Sequence, residues 1–195
     1  RGGGQSETVI GQWLRDRGLR DSVLITSKVG NVTSQGERER GPWLKAPYMV
    51  EECEASLKRL GIETIDLYYA HVDDRGTPLE EMLEAFDRLR REGKIRFIGA
   101  SSWRVWRIER ANALAAAKNW SPFCCIQNQF SYIQPYHYQE GLSRFPRADA
   151  EVQDFCKSNG LTIFGWEPIC RGSYFDHTRL DTGKFDYRTV DNLKR

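Results

Sequence analysis

The sequence predicts an α/β fold, a partial TIM (β/α)8 barrel of which about five parallel strands with outer helices are visible in 195 residues. Three observations predict it. Helical and strand-like segments alternate from the first residues onward. The apolar runs between the helices, Val23 to Thr26, Ile65 to Ala70, Ile95 to Ala100, Phe123 to Ile126 and Leu161 to Phe164, are short and rich in β-branched and aromatic residues, as parallel strands buried on both faces are. Their starts lie 42, 30, 28 and 38 residues apart, the length of one βα unit plus loops of variable size.

Taken in order, each helix carries its own start and stop signals. The first begins near Ser6, an N-cap residue type placed before Glu7, and ends at Gly18. Pro47 stands at a first-turn position of the second, which closes at Gly61. Thr77-Pro78 leads into the third, whose Glu80 and Glu81 suit a helix N-terminus and whose end is marked by Gly93. Gly160 ends the helix before the last strand. Long loops are expected over Gly30 to Ala46 and Tyr132 to Arg147.

A doubly wound sheet would open on a strand running into a glycine-rich phosphate loop, whereas Gly2-Gly3-Gly4 follows no strand and reads as a turn. Neither repeat nor linker divides the chain, so residues 1–195 read as a single incomplete (β/α)-barrel domain. Barrels of this type take about 250 residues and eight strands, which implies truncation at both ends.

With 29 basic and 27 acidic residues, a net charge of +2, there is no broad electrostatic footprint for nucleic acid or a membrane surface. No apolar run approaches the roughly 18 residues of a membrane span, and the polar N-terminus does not resemble a signal peptide. Five cysteines (Cys53, Cys124, Cys125, Cys156, Cys170) form no CxxC pair and read as small buried hydrophobes. The expected setting is cytoplasmic, and Asn31-Val32-Thr33 is then a polar turn rather than a glycosylation site.

In a barrel, chemistry belongs to the C-terminal ends of the strands. Those ends read Thr26-Ser27-Lys28, Ala70-His71, Ala100-Ser101-Ser102, Gln127-Asn128 and Trp166-Glu167. A cation, an imidazole, hydroxyls, a carboxamide and an aromatic face are the inventory for orienting a planar polar ring and a carbonyl. Each has a plainer use when taken singly: Lys28 and His71 as solvated strand ends, Ser101 as a helix cap, Trp166 as rim packing. Trp43 and Trp103 hint at an aromatic-lined mouth, and Trp106, inside a helix, is expected in the core.

These residues carry a resemblance to the aldo-keto reductase family. Gly4-Gln5-Ser6-Glu7 with Gly11 and Leu14 resembles the family's G-x-S-E-x-x-x-G-x-x-L helix. The stretch from Ser56-Leu57 through Ile65-Asp66-Leu67 to His71 resembles S-L-x-x-L-x-x-x-x-I-D-L-x-x-x-H. Gly93-Lys94-Ile95-Arg96 with Ile98-Gly99-Ala100-Ser101 is similar to G-K-I-R-x-I-G-V-S, and Trp166-Glu167-Pro168-Ile169 with Arg171-Gly172 to Y-S-P-L-x-x-G.

The resemblance implies NAD(P)H-dependent reduction of an aldehyde or ketone to an alcohol, with NADP (NADPH) as cofactor and a small-molecule carbonyl compound as substrate. It makes Lys28 and His71 two of four catalytic groups; the other two, an Asp and a Tyr, lie in the family just before the G-x-S-E helix and are absent from these residues. The chain as given is therefore expected to reduce no carbonyl at a useful rate. On the cofactor side the resemblance implies Ser101, Ser102 and Gln127 at the nicotinamide carboxamide, with Ser102 where the family has Asn. Trp166 would be the stacking platform in place of the usual Tyr, and Glu167, Ile169, Arg171 and Gly172 would lie along the pyrophosphate loop. A glycoside hydrolase pairing Glu167 with Asp73 or Asp74 would need carboxyls roughly 5 to 9.5 Å apart across a cleft. A second alternative is a non-catalytic, truncated family member acting as an interaction protein.

Overall fold

A computed structural model describes residues 4–30, 43–131, 137–138, 146–172 and 185–186. The helices are α1 (Gln5–Arg17), α2 (Ala46–Leu60), α3 (Leu79–Arg91), α4 (Val105–Lys118) and α5 (Ala150–Ser158). The strands are β1 (Thr26–Val29), β2 (Ile65–Ala70), β3 (Ile95–Ser101), β4 (Phe123–Gln129), the two-residue β5 (His137–Tyr138), β6 (Thr162–Trp166) and the two-residue β7 (Phe185–Asp186). One sheet runs in the order β1-β2-β3-β4-β6, while β5 and β7 form a small antiparallel ladder. Consecutive parallel strands joined through helices are the α/β architecture of a partial (β/α) barrel. By their contacts the residues fall into two compact units, Arg1–Ser101 with Trp106–Cys124, and Ser102–Val105 with Cys125–Arg195.

In the first unit β1, β2 and β3 pair in parallel, with Lys28 opposite Tyr69, Tyr69 opposite Gly99, and Ala70 opposite both Val29 and Ala100. Side chains alternate between the faces of a strand, so Tyr68 defines one face and Tyr69 the other. Tyr68 is fully buried and meets Phe86 of α3 edge-on at 6.1 Å, and Phe86 meets Phe123 at 6.2 Å. That face is the helix-covered core, completed by Met49, Leu57 and Leu60 of α2, Met82, Leu83 and Leu89 of α3, and Ile108, Ala111 and Ala115 of α4. The opposite face is shared by Lys28, Tyr69 and Ser101.

Helix α1 docks on α2 at Gly11, where an added Cβ would stand 2.4 Å from the Leu60 carbonyl oxygen, so only a glycine permits this approach. Gly61 ends α2 in the left-handed conformation, φ 66°, and its amide bonds the Leu57 carbonyl. Pro47, Glu80 and Glu81 occupy the helix first turns expected of them.

Three local expectations are corrected. Helix α1 is capped by the left-handed Gly4 and not by Ser6, which lies inside the first turn and makes no capping bond. The first strand covers Thr26–Val29 and not Val23 to Thr26, because the Asp66 carboxylate takes the Ile25 amide at 2.7 Å where a strand partner's carbonyl would otherwise stand. The ladder proper then starts one residue later, and Lys28 lies at its C-terminal end as expected. Trp106 is 47% exposed, with the Arg75 guanidinium 5.4 Å over its ring; Trp103 is the buried one. Asn31-Val32-Thr33 lies outside the described residues.

Candidate active site

In the first unit the C-terminal ends of three adjacent strands bring Lys28, His71 and Ser101 to one edge of the sheet. Lys28 pairs in register with Tyr69, and its ammonium stands 5.7 Å from the Tyr69 ring centroid. His71 follows β2 and closes the ladder by donating its amide to the Val29 carbonyl at 2.8 Å. Ser101 is the last residue of β3 and is buried. Lys28 and His71 are half-buried. Burial pulls the Lys28 ammonium below its ordinary 10.5. Burial first, and then the Lys28 charge, lower His71 from 6.5 to about 4, so the imidazole is neutral at physiological pH and can donate one N–H without adding a competing charge.

The strand that carries Lys28 is tied from behind. Ser27 donates to Glu7 Oε1 at 2.5 Å, and Arg59 Nε donates to Glu7 Oε2 at 2.5 Å while its Nη2 reaches Ser56 Oγ. Burial would raise the Glu7 pKa, but hydrogen bonds from Ser27, Arg59 and Ser56, with the Arg59 charge, outweigh it, and Glu7 stays ionised. Glu7 thus joins α1, α2 and β1 in one charge-assisted cluster, a role visible in the sequence only as part of a helix motif.

At the other end of the same strands, Asp66 accepts from Arg20 at 2.9 Å and pairs with Arg96 at 3.0 Å. A cavity of about 470 Å³ opens there between Arg15, Arg20, Asp21, Glu63 and Arg96. Its basic and acidic groups balance once Asp66 is included. It lies at the strand starts, away from Lys28 and His71.

In the second unit β4 pairs with β6, placing Gln127 opposite Phe164 and Gln129 opposite Trp166. Ser102 holds φ 60°, a left-handed conformation uncommon outside glycine, and donates its amide to the Gln127 carbonyl at 2.9 Å. The backbone past β6 turns twice the same way, at Glu167 (φ 57°) and at Cys170 (φ 50°), the first residue of a 3₁₀ turn over Cys170–Gly172. Gly172 donates to the Ile169 carbonyl and Cys170 to that of Glu167. Trp166 and Glu167 are half-buried and Ile169 is 56% exposed; the Arg171 side chain lies outside the described residues. Strained positions of this kind concentrate where a backbone must present itself to a ligand.

The structure also brings forward Gln129, which sequence reading did not single out, and gives Asn128 a structural role. Gln129 anchors the start of the following segment, accepting from Arg147 at 3.2 Å and donating to Ser131 at 2.9 Å. Asn128 is fully buried and donates to the Trp103 carbonyl at 3.4 Å. Asp73 and Asp74, the carboxylates of the glycoside hydrolase alternative, are consumed by structure. Asp73 pairs with Arg107 and Arg75, and Asp74 accepts from Thr77 and from the Leu44 and Gly76 amides. No group of three or more His, Cys, Asp or Glu residues able to hold a metal occurs among the described residues. No helix among them is long and apolar enough to cross a membrane.

The aldo/keto reductase family profile matches residues 2–195. An aldo-keto reductase of Strobilurus tenacellus, str7, is 31% identical over 87% of this chain, and the aldo-keto reductase yakc [NADP(+)] of Schizosaccharomyces pombe is 31% identical over 88%. Versiconal hemiacetal acetate reductase of Aspergillus parasiticus is 29% identical over 87%. These alignments span 44%, 46% and 51% of the respective relatives, so the chain covers about half their length. The chain belongs to the aldo/keto reductase family.

Proposed function

We propose that residues 1–195, as one incomplete (β/α)-barrel domain, carry part of a site for NADPH-dependent reduction of an aldehyde or ketone to an alcohol. The observation that carries this is the placement of Lys28 and His71, two half-buried groups on neighbouring strand ends, with the imidazole held neutral first by burial and then by the Lys28 charge. A neutral imidazole can hold a carbonyl oxygen by hydrogen bond, and an ammonium beside it favours negative charge developing on that oxygen or on a phenolic proton donor. The name of the fission-yeast relative, which specifies NADP(+), supports the choice of cofactor.

The residues present fit a nicotinamide. Gln127 and Ser102 are joined by a backbone bond, Trp166 offers a partly open indole face, and the left-handed turns at Glu167 and Cys170 lead into Gly172. Such residues would hold a carboxamide-bearing ring by hydrogen bond and stacking, and peptide N–H groups near Ile169 and Arg171 would suit a pyrophosphate, with the Gly172 amide given to the Ile169 carbonyl to hold the turn. The bound dinucleotide supplies hydride. The protein supplies position, exclusion of water at the half-buried pair, and polarisation of the oxygen by His71 and Lys28.

The test is NADPH binding, followed by fluorescence, and NADPH oxidation with an aromatic aldehyde. Both are measured on the chain and, where its coding sequence continues, on the continued polypeptide. Lys28→Met and His71→Ala are expected to lower kcat by about 10²- to 10⁴-fold with cofactor binding retained. Unchanged turnover in Lys28→Met, or no NADPH binding in any form, would refute the assignment. Binding without turnover in every form would favour an interaction role.

A further inference from the structure

We propose that Arg107, on the first turn of α4, is a positioning residue that fixes the segment carrying His71. The proposal rests on the carbonyl-reduction reading for the importance of His71, but its structural content stands apart from that reading. After its amide bonds Val29, His71 is the last residue held by the sheet. The chain then runs through Val72 to Thr77 before α3 begins, so the imidazole takes its direction from whatever restrains this short connection.

Asp74 organises the connection locally, its carboxylate closing the turn onto the Gly76 amide and Thr77 hydroxyl and reaching the Leu44 amide. Asp73, two residues past His71, is held from a distance. Arg107 Nε donates to Asp73 Oδ1 at 2.7 Å, and Arg107 Nη2 reaches the Asp74 carbonyl at 3.5 Å. The two charged side chains are equally sequestered, 11% exposed each, which separates this pair from the Arg75–Asp73 contact, where the arginine is 60% exposed. Exposed pairs contribute little; a desolvated pair resists breaking because the partner left behind has lost its water. The Arg75 guanidinium over Trp106 seats the same turn of α4 on the same connection. Residues 34 positions apart therefore set the geometry immediately downstream of the candidate carbonyl-binding imidazole, and a displacement of about 1 Å there is enough to cost on the order of 10²-fold in rate.

The experiment compares Arg107→Met, Arg107→Lys and Asp73→Asn with the parent chain by amide hydrogen exchange and by NMR of the His71 imidazole, neither of which needs catalytic activity. In Arg107→Met and Asp73→Asn the His71 amide should exchange about tenfold faster or more, while the Tyr68 and Ala70 amides keep their protection. The His71 ring signals should shift and broaden, and Arg107→Lys should recover part of both effects. An unchanged His71 amide and ring overturns the proposal. So does uniform loss of protection across β2, or failure of both Arg107→Met and Asp73→Asn to fold, since either outcome makes the pair a general brace. Where turnover is measurable, kcat should fall with KM for NADPH unchanged. If the chain proves not to reduce carbonyls, the exchange result still decides the positioning role.

Discussion

The two units fix their candidate residues by different means. In the first, strand ends are braced by charge: Glu7 between Ser27 and Arg59 behind Lys28, Asp73 on Arg107 beyond His71, Asp66 between Arg20 and Arg96 at the strand starts. In the second, the residues proposed for the cofactor side stand on backbone conformation, with Ser102, Glu167 and Cys170 held left-handed, and on carboxamide links through Gln129 and Asn128. Groups that must polarise a carbonyl need their direction and protonation state fixed, which buried ion pairs do through electrostatics. A backbone that must approach a flat ring and its phosphates needs exposed N–H groups, which turns provide.

The largest expected effect probes the core beneath the charged bracing. Phe86 sits between Tyr68 and Phe123, so Phe86→Ala removes a ring from both edge-on contacts and should destabilise by about 3–5 kcal/mol. Site-resolved hydrogen exchange should show the loss in β2, β3 and α3. A loss below about 1 kcal/mol would mean the ion pairs, not the core, hold the first unit.

A second test uses pH. His71 has its folded pKa depressed to about 4 from 6.5, so its contribution to stability is complete above 6.5, declines as the unfolded chain takes up a proton, and is gone once pH falls through about 4. With His71 half-buried, solvent screening keeps the change below the full shift, at most about 3 kcal/mol over that window. Urea denaturation at several pH values should show that slope reduced in His71→Leu. An equal slope in both would show that the imidazole is hydrated in the folded chain.

How much of this was legible from the sequence depends on the range of the interactions involved. Strand β2 coincides with its predicted span because Ile65 to Ala70 is bounded by its own composition, and the Gly61 cap is likewise a local signal. Strand β1 was displaced because Val23-Leu24-Ile25 is the more apolar run; the ladder was set by Asp66, 41 residues from the Ile25 amide it accepts. Lys28 and His71 could be named from their strand-end positions and from the family resemblance, whereas Arg107 could not. Its partner is 34 residues away, and an arginine on an amphipathic helix ordinarily reads as a solvated face. Trp106 failed in the opposite sense: helix position suggested core, but its ring is the platform for Arg75. The strained turns left no sequence mark, since Ser, Glu and Cys are not residues that announce a left-handed backbone.

The smallest expected effect tests whether that strain is retained for function. Ser102 in the left-handed region costs about 1–2 kcal/mol relative to a right-handed residue, and glycine removes the cost while returning part of it as unfolded-chain entropy. Ser102 is also buried, 7% exposed as a residue, so its lost contacts offset a little more. Ser102→Gly should therefore stabilise by only about 0.5 kcal/mol, read as a rise in the denaturation midpoint at constant m-value. NADPH binding should weaken at the same time, because the hydroxyl assigned to the carboxamide is gone. Gain in stability with loss of binding is the signature of a strained residue kept for its ligand. A loss of more than about 1 kcal/mol would place Ser102 among the structural braces instead, and the contrast between the two units would then fail at the residue where it is most exposed to test.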